Sequence, residues 1–147
     1  MNEILARLPS FIAHHFLLVG AFAAILLALI ALEASRLFRG FREVTPAGLT
    51  QLINRDNALV IDVSVQADYE KAHVPGSRHV AANQFDPENA DLKKARELPV
   101  AVVSRNGAEA EKAARRLTKA GFTRVFVLGG GIDAWKRAEL PLAKGRT

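Results

Sequence analysis

The amino-acid sequence predicts a small α/β domain with a parallel sheet and covering helices, preceded by one N-terminal transmembrane helix. Nearly continuous apolar runs at residues 58–63, 100–103 and 125–128 are typical of parallel strands that are buried on both faces. The last two runs are separated by an amphipathic helical pattern, and such a strand–helix–strand unit builds a parallel sheet. A long uncharged stretch precedes all three runs, which puts the membrane helix first.

The predicted membrane helix contains Phe16 to Leu32, FLLVGAFAAILLALIAL, which has no charged residue. Extending it back to residue 11 adds His14 and His15 as the only polar side chains. Since a helix rises ~1.5 Å per residue, about 20 apolar residues cross a hydrocarbon core of ~30 Å. The chain is therefore divided into a flank at 1–10, a transmembrane helix at 11–32, a basic juxtamembrane linker at 33–42 and a folded domain at 43–147.

Two other interpretations of the apolar segment compete with a retained anchor. A buried core helix of a soluble domain is rarely apolar on every face at this length. A cleaved signal peptide has a shorter apolar core and a small-residue cleavage site beyond it, whereas this run ends in Leu32-Glu33-Ala34-Ser35-Arg36. The sequence therefore favours a helix that stays in the membrane.

Basic residues flank the predicted span unequally, because Arg7 precedes it while Arg36, Arg39 and Arg42 follow. Positive residues are retained on the cytoplasmic side. We therefore expect a single-pass protein of the cell inner (plasma) membrane whose C-terminal domain is cytoplasmic. The three later arginines can also rest on anionic lipid headgroups, which accounts for part of the net charge of +5.

Small residues recur along one face of the span, where Gly20, Ala24 and Ala28 lie at i, i+4 and i+8. Such a stripe admits a partner helix at close distance, so a homo-oligomer is one expectation. Alanine is common in membrane helices, and chance explains the pattern as well as dimerisation does.

The folded domain starts with a short apolar-leaning lead at 41–44. Thr45-Pro46 is typical of an N-cap followed by proline at the first helical position, and predicts a helix through Ile53. The amphipathic helix between the later strands covers Glu109 to Ala120, with Gly121 in position to end it.

The segment after the last predicted strand begins with three glycines at 129–131. These residues turn the chain into a final short helix that contains Trp135. The tail at 142–147 is expected to be loosely held.

The loop after the strand at 100–103 leads directly into the amphipathic helix. Ligands of parallel α/β sheets gather where strands end and helices begin, and such a loop can point backbone N–H groups inward. By itself this arrangement is a weak indication of anion binding. The candidate loop residues are Ser104, Arg105, Asn106, Gly107, Ala108 and Glu109.

Several short motifs together give the domain a specific resemblance. They are Val60-Ile61-Asp62-Val63, Asp68-Tyr69, Ala72-His73-Val74-Pro75-Gly76-Ser77, Val102-Val103-Ser104-Arg105-Asn106-Gly107, Ala120-Gly121-Phe122, Val125 to Ile132, Ala134-Trp135 and Leu140-Pro141. In this order they resemble the rhodanese-like domains over about residues 43–145. One membrane span ahead of one such domain also resembles a known bacterial arrangement of the family.

The resemblance implies that Ser104 stands where active members carry the cysteine that holds sulfur as a persulfide. The chain has no cysteine, and a hydroxyl has neither the acidity nor the polarisability to pass on sulfane sulfur. Ser64 and Glu109 stand where the resemblance implies arginines, and a carboxylate inside an anion cradle repels anions. Because Arg105 and Gly107 are retained, a weakened cradle is expected.

Other chemistry is not supported at this site. A nucleophilic Ser104 would need a base within hydrogen-bond reach, and the folded domain offers only His73 and His79.

His14 and His15 lie at the membrane edge, where interfacial placement explains them better than metal binding. No metal or cofactor is expected, and without a dense Lys/Arg tract nucleic acid is not expected either.

Five residues of the resembling motifs are expected to be structural. Asp62 should accept a hydrogen bond at a strand end, and His73 should pack or bond the backbone in a turn. The other members of this set are Gly76, Gly130 and Trp135.

The function that follows is a catalytically inactive, membrane-anchored binding or scaffold module at the cytoplasmic membrane face, with membrane proteins as partners. Its expected surface lies around residues 104–109, His73 and residues 129–131. Two alternatives remain open: a sensor that binds an oxyanion or sulfur compound, and a residual sulfurtransferase.

Overall fold

The computed structural model describes residues 2–146. The chain forms two compact units, one up to Arg39 and one from Gly40 onward. Residue 1 of the predicted flank and residue 147 of the predicted tail lie outside the described residues.

The first unit consists of two helices, α1 (Asn2–His14) and α2 (Phe16–Leu37). The predicted span at 11–32 is thus divided at His15, whose backbone angles of φ −125° and ψ 33° leave the α-helical region. At its other end α2 continues past Leu32, and Glu33 pairs with Arg36 at 3.7 Å one turn later.

Helix α2 is long and apolar enough to cross a membrane, by length and composition. None of its residues is buried within the described part of the chain. Its residues 16–32 are uncharged and apolar on all sides, whereas a helix in a soluble core is mostly buried.

The second unit has the predicted α/β fold. Its strands are β1 (Arg42–Val44), β2 (Leu59–Asp62), β3 (Arg78–His79), β4 (Val100–Val103) and β5 (Val125–Leu128). Its helices are α3 (Pro46–Asp56), α4 (Gln66–Lys71), α5 (Ala90–Lys94), α6 (Ala108–Lys119) and α7 (Gly131–Arg137). The parallel-sheet prediction is confirmed, because the order β1-β5-β4-β2-β3 is parallel throughout.

Side chains alternate between the two faces of this sheet, so each face carries its own apolar core. Val100 and Val102 of the central strand join the cluster that includes Leu117 of α6. Ala101 and Val103 join the opposite cluster, which includes Trp135 of α7. Burial on both faces is what the continuous apolar runs predicted.

The predicted start of α3 and the predicted end of α6 are both found in the structure. The Thr45 side chain accepts a hydrogen bond from the Gly48 N–H at 3.1 Å, and Pro46 opens α3. Helix α6 ends at the expected place, followed by Gly121.

Two parts of the domain differ from expectation. The lead at 41–44 contains an edge strand, β1, which pairs with β5. The tail is not loosely held over its described residues, because His73 and Ala143 exchange backbone hydrogen bonds of 2.9 and 3.0 Å. The Gly145 N–H also donates to the Glu70 carbonyl at 2.9 Å. These contacts join residues distant in sequence, which periodicity does not detect.

Candidate functional site

The candidate loop connects the end of β4 to the start of α6, at the carboxyl edge of the central strand. Ser104 is its first residue and is 1% exposed. The Ser104 Oγ accepts hydrogen bonds from the Gly107 N–H at 3.0 Å and the Ala110 N–H at 3.3 Å. One N–H of the loop and one of the first turn of α6 therefore converge on a hydroxyl oxygen.

Other loop groups are also satisfied internally. The Asn106 Oδ1 accepts the Ala108 N–H at 3.2 Å. Gly107 has φ +98° as the N-cap of α6, a left-handed conformation that glycine adopts without a steric cost. The loop is thus held by its own side chains and by one glycine.

The start of α7 packs directly against this loop. The Ile132 N–H donates to the Ser104 carbonyl at 3.0 Å, and the Asp133 N–H donates to the Arg105 carbonyl at 3.3 Å. A side chain at Gly131 would collide with both carbonyl oxygens, and its φ of +60° also favours glycine. The segments 104–109 and 129–131, which the sequence analysis assigned to one surface, therefore lie against each other.

Glu109 does not lie inside the loop. It belongs to the first turn of α6, its side chain is 48% exposed, and it pairs with Lys112 at 3.0 Å. This corrects the expectation of a carboxylate within the anion cradle. The helix dipole favours an acidic side chain in this first turn, and the pairing with the exposed Lys112 draws the carboxylate toward the surface.

A small cleft of about 80 Å³ opens beside the loop. We call it the cationic cleft because three of its side chains are basic. It is lined by Ser64, Asp68, Lys71, Ala72, Arg105, Ile132 and Lys136. One carboxylate opposes the three cations: Asp68 pairs with Arg105 at 3.5 Å, and the Arg105 side chain is 68% exposed.

The two domain histidines bond elsewhere. The His73 Nδ1–H donates to the Tyr69 carbonyl at 2.8 Å, and its ring stacks on that of Tyr69 with centroids 3.8 Å apart. The His79 Nε2–H donates to the Ser64 carbonyl at 2.8 Å. His73 is also buried, at 1% exposure, so it contributes nothing to an exposed binding surface.

Asp62 lies fully buried at the end of β2. Its Oδ1 accepts the Ser64 N–H at 2.8 Å, while its Oδ2 has no hydrogen-bond partner within the described residues. Burial raises the pKa of this carboxyl above 3.8, and the hydrogen bonds with Ser64 and the nearby His79 and His73 oppose that rise. The geometry gives Asp62 a role in holding the turn after β2.

The other predicted structural residues are spread over the domain. Gly76 lies in the turn before β3, and Gly130 is the N-cap of α7. Trp135 is 4% exposed, and its Nε1–H donates to the Pro141 carbonyl at 2.8 Å.

A family model described as Rhodanese-like domain matches residues 45–138. The chain belongs to the rhodanese-like domain family. YibN of Escherichia coli (strain K12) is 33% identical over 147 residues, which covers 99% of this chain and 100% of that protein. Thiosulfate sulfurtransferase GlpE of Glaesserella parasuis serovar 5 is 25% identical, over 71% of this chain and 95% of its own length.

Solved structures agree with this membership. A rhodanese-related protein from Thermoplasma volcanium superposes with a TM-score of 0.60 at 20% identity, covering 69% of this chain and 97% of that one. Thiosulfate sulfurtransferase from Pseudomonas aeruginosa gives a TM-score of 0.64 at 25% identity, over 72% of this chain and 20% of that chain. Relatives of this rhodanese-like domain thus include sulfurtransferases.

This rhodanese-like domain contains no cysteine, so no thiolate is available in it. Within residues 2–146, no group of three or more His, Asp or Glu side chains is placed to hold a metal ion.

Sequence reasoning missed part of the site, namely Asp68, Lys71 and Lys136 of the cationic cleft. Helices that follow parallel strands begin at the same sheet edge. That rule would have directed attention to the residues of α4 and α7.

Proposed function

We propose that this chain is a membrane-anchored rhodanese-like domain that does not transfer sulfur and acts as a binding or scaffold module at the cytoplasmic face of the inner membrane. The observation that carries the proposal is the environment of Ser104. Its oxygen is buried and accepts the Gly107 and Ala110 N–H groups, at the position where the family resemblance puts the persulfide-bearing cysteine.

Neither route to catalysis is open at Ser104. A hydroxyl does not store sulfane sulfur, because the reaction needs a polarisable thiolate. A serine nucleophile needs a base within hydrogen-bond reach, and the imidazoles of His73 and His79 bond backbone carbonyls of Tyr69 and Ser64 instead.

The proposed binding surface is the carboxyl edge of the sheet. It combines the cationic cleft with Val65, which follows the cleft residue Ser64 and is 65% exposed. An exposed apolar side chain beside three cations suits a partner segment that offers an acidic and an apolar side chain.

The proposed anchor is α2. Its uncharged residues 16–32 give a length of ~26 Å, close to the ~30 Å hydrocarbon core. The similarity to YibN extends over 99% of the chain and therefore includes this helix. Arg36 lies in its last turn and Arg39 follows it, and this charge bias supports a cytoplasmic domain.

Self-association through the span is part of the proposal. Gly20 has no atom within 4 Å of the place where a Cβ would lie, so a partner helix could approach along the stripe of Gly20, Ala24 and Ala28.

Sulfur transfer is tested with the purified full chain, thiosulfate and cyanide, with a GlpE sulfurtransferase assayed in parallel as the positive control. We expect no turnover above background. Turnover by the wild-type chain would overturn the proposal and favour a residual sulfurtransferase. The Ser104→Cys variant is expected to gain little activity, because Ser64 still stands where the resemblance implies an arginine.

Binding is tested by placing a photo-crosslinking residue at Val65 and, as a matched control, at Leu98. Both side chains are apolar and exposed, but Val65 follows β2 whereas Leu98 precedes β4 at the other edge of the sheet. In native membranes we expect a discrete crosslinked product from position 65 that is lost in the Lys136→Glu background. Equal products from both positions would contradict a specific surface.

A second candidate function is a sensor that binds an oxyanion or sulfur compound without converting it. The three cations of the cleft favour this alternative. Sulfate and thiosulfate titrations followed by the amide signals of residues 104–110 test it. Unmoved signals would remove this function and leave the binding module.

A further inference from the structure

Helix α1 has one apolar face and one polar face. Four large apolar side chains recur at i, i+4, i+7 and i+8, and their exposed fractions are 71% for Ile4, 42% for Leu8, 55% for Phe11 and 46% for Ile12. At helical spacing, another side of the helix carries Glu3, Arg7, Ser10 and His14. A short helix of this pattern needs an apolar surface on one side and water on the other.

The polar side chains of this helix bond within it. The Ser10 hydroxyl donates to the Arg7 carbonyl at 2.8 Å, and the His14 Nδ1–H donates to the Ser10 carbonyl at 2.7 Å. These bonds tie the polar face to its own helix, so the four apolar side chains are what α1 offers to another surface.

The length of the first unit excludes α1 from the hydrocarbon core. The uncharged part of α2, residues 16–32, is ~26 Å long and crosses most of a core of ~30 Å. The 13 residues of α1 would add ~20 Å and would carry the charges of Glu3 and Arg7 into lipid, which is costly.

The junction between the helices allows a change of direction. His15 leaves the helical region, although the His15 N–H still donates to the Phe11 carbonyl and the Val19 N–H to the His15 carbonyl, each at 3.0 Å. A bend at the membrane edge can therefore form without leaving the chain unpaired.

We infer that α1 lies in the plane of the membrane interface, with Ile4, Leu8, Phe11 and Ile12 at the acyl boundary and Glu3, Arg7 and Ser10 toward water. The occupant of its apolar face is lipid, because α2 continues directly from α1 and holds it at the bilayer surface. This inference rests on the proposed anchoring by α2. It gives α1 a role in setting the depth and the rotation of the span.

The chain has no cysteine, so single-cysteine variants report one position each. We would reconstitute the full chain in phosphatidylcholine–phosphatidylglycerol vesicles and measure maleimide labelling rates. Leu8→Cys and Ile12→Cys report the apolar face, and Arg7→Cys and Ser10→Cys report the polar face. Leu27→Cys within α2 and Lys94→Cys on the domain surface are controls for lipid and for water.

The apolar-face positions are expected to label about tenfold more slowly than the polar-face positions, because the reactive thiolate is disfavoured at apolar depth. Uniformly fast labelling of α1 with a protected Leu27→Cys would overturn the inference and leave the anchor intact. Slow labelling at all four α1 positions would make α1 part of the span. Disulfide dimers at Leu8→Cys would show that the apolar face of α1 contacts a second copy of the chain. Either outcome would overturn the inference. Fast labelling of Leu27→Cys would refute the anchor itself, and the inference with it.

Discussion

The loop between β4 and α6 and the cationic cleft beside it share one edge of the sheet but satisfy their polar groups differently. Inside the loop, Ser104 and Asn106 accept the N–H groups of Gly107, Ala110 and Ala108. In the cleft, three basic side chains meet one carboxylate, on Asp68. Three N–H groups, those of Gly107, Ala108 and Ala110, are thus bonded within this segment, while basic side chains for an anionic group line the cleft. The proposed function, binding without sulfur transfer, rests on this difference.

The largest effect is expected from filling the contact between the loop and α7. Gly131→Ala places a Cβ against the Ser104 and Arg105 carbonyls at φ +60°. We expect a loss of ~2–5 kcal/mol in the free energy of unfolding, since a left-handed alanine costs ~1–2 kcal/mol and overpacking adds ~1–3 kcal/mol. Urea unfolding of the full chain in detergent, followed by fluorescence of its one tryptophan, measures this.

Gly76→Ala is the matched control for this prediction. Gly76 also has a positive φ, +79°, but nothing lies within 4 Å of the added Cβ. Its expected cost is therefore only the conformational ~1–2 kcal/mol. Equal destabilisation by both substitutions would show that the contact between loop and α7 is not tight.

The next effect tests the interior of the loop. Ser104→Ala leaves the Gly107 and Ala110 N–H groups without their acceptor, and we expect a loss of ~1–3 kcal/mol. Ser77→Ala is the control, because the Ser77 Oγ is buried without a hydrogen-bond partner among the described residues. That substitution should be neutral or stabilising, and the same unfolding experiment compares the two.

The interior of the domain was more predictable from sequence than its edge. Strands β4 and β5, the capping of α3 and the end of α6 follow from local apolar patterns and from Thr45, Pro46 and Gly121. Motif resemblance also identified Ser104. The cationic cleft could not be predicted in this way, because Lys71 and Lys136 come from helices far apart in sequence. The outward placement of the Glu109 side chain could not be predicted either, because it depends on where α6 begins and on which face of that helix Glu109 lies.

A pH experiment tests the buried carboxyl at the neighbouring strand end. The pKa of Asp62 is raised above 3.8, chiefly by burial, so the folded state holds its proton more strongly than the unfolded state. Its contribution to stability is therefore present below pH 3.8 and is lost as pH rises through the folded pKa. Relative to wild type, Asp62→Asn should gain stability with rising pH in this window.

The measurement is the difference in free energy of unfolding between wild type and Asp62→Asn as pH rises from about 3 to 7. Using the difference removes the contributions of Glu70 and Glu88, whose pKa values are lowered by hydrogen bonds from Gln66 and Lys93 respectively. Those two groups stabilise above their unfolded pKa and lose that contribution as pH falls. A flat difference would mean that the Asp62 carboxyl titrates alike in both states.

The smallest effect on stability is expected from a substitution in the cationic cleft, which also tests anion binding there. Lys136→Glu should change the free energy of unfolding by less than ~0.5 kcal/mol, because it alters a surface side chain. The same variant should weaken sulfate binding about fivefold or more, since one unit charge acts with ~1 kcal/mol or more near a protein surface. Lys94→Glu, on the exposed face of α5, controls for net charge. If both variants weakened sulfate binding equally, the affinity for sulfate would depend on the net charge of the protein. The cationic cleft would then not be a specific anion site.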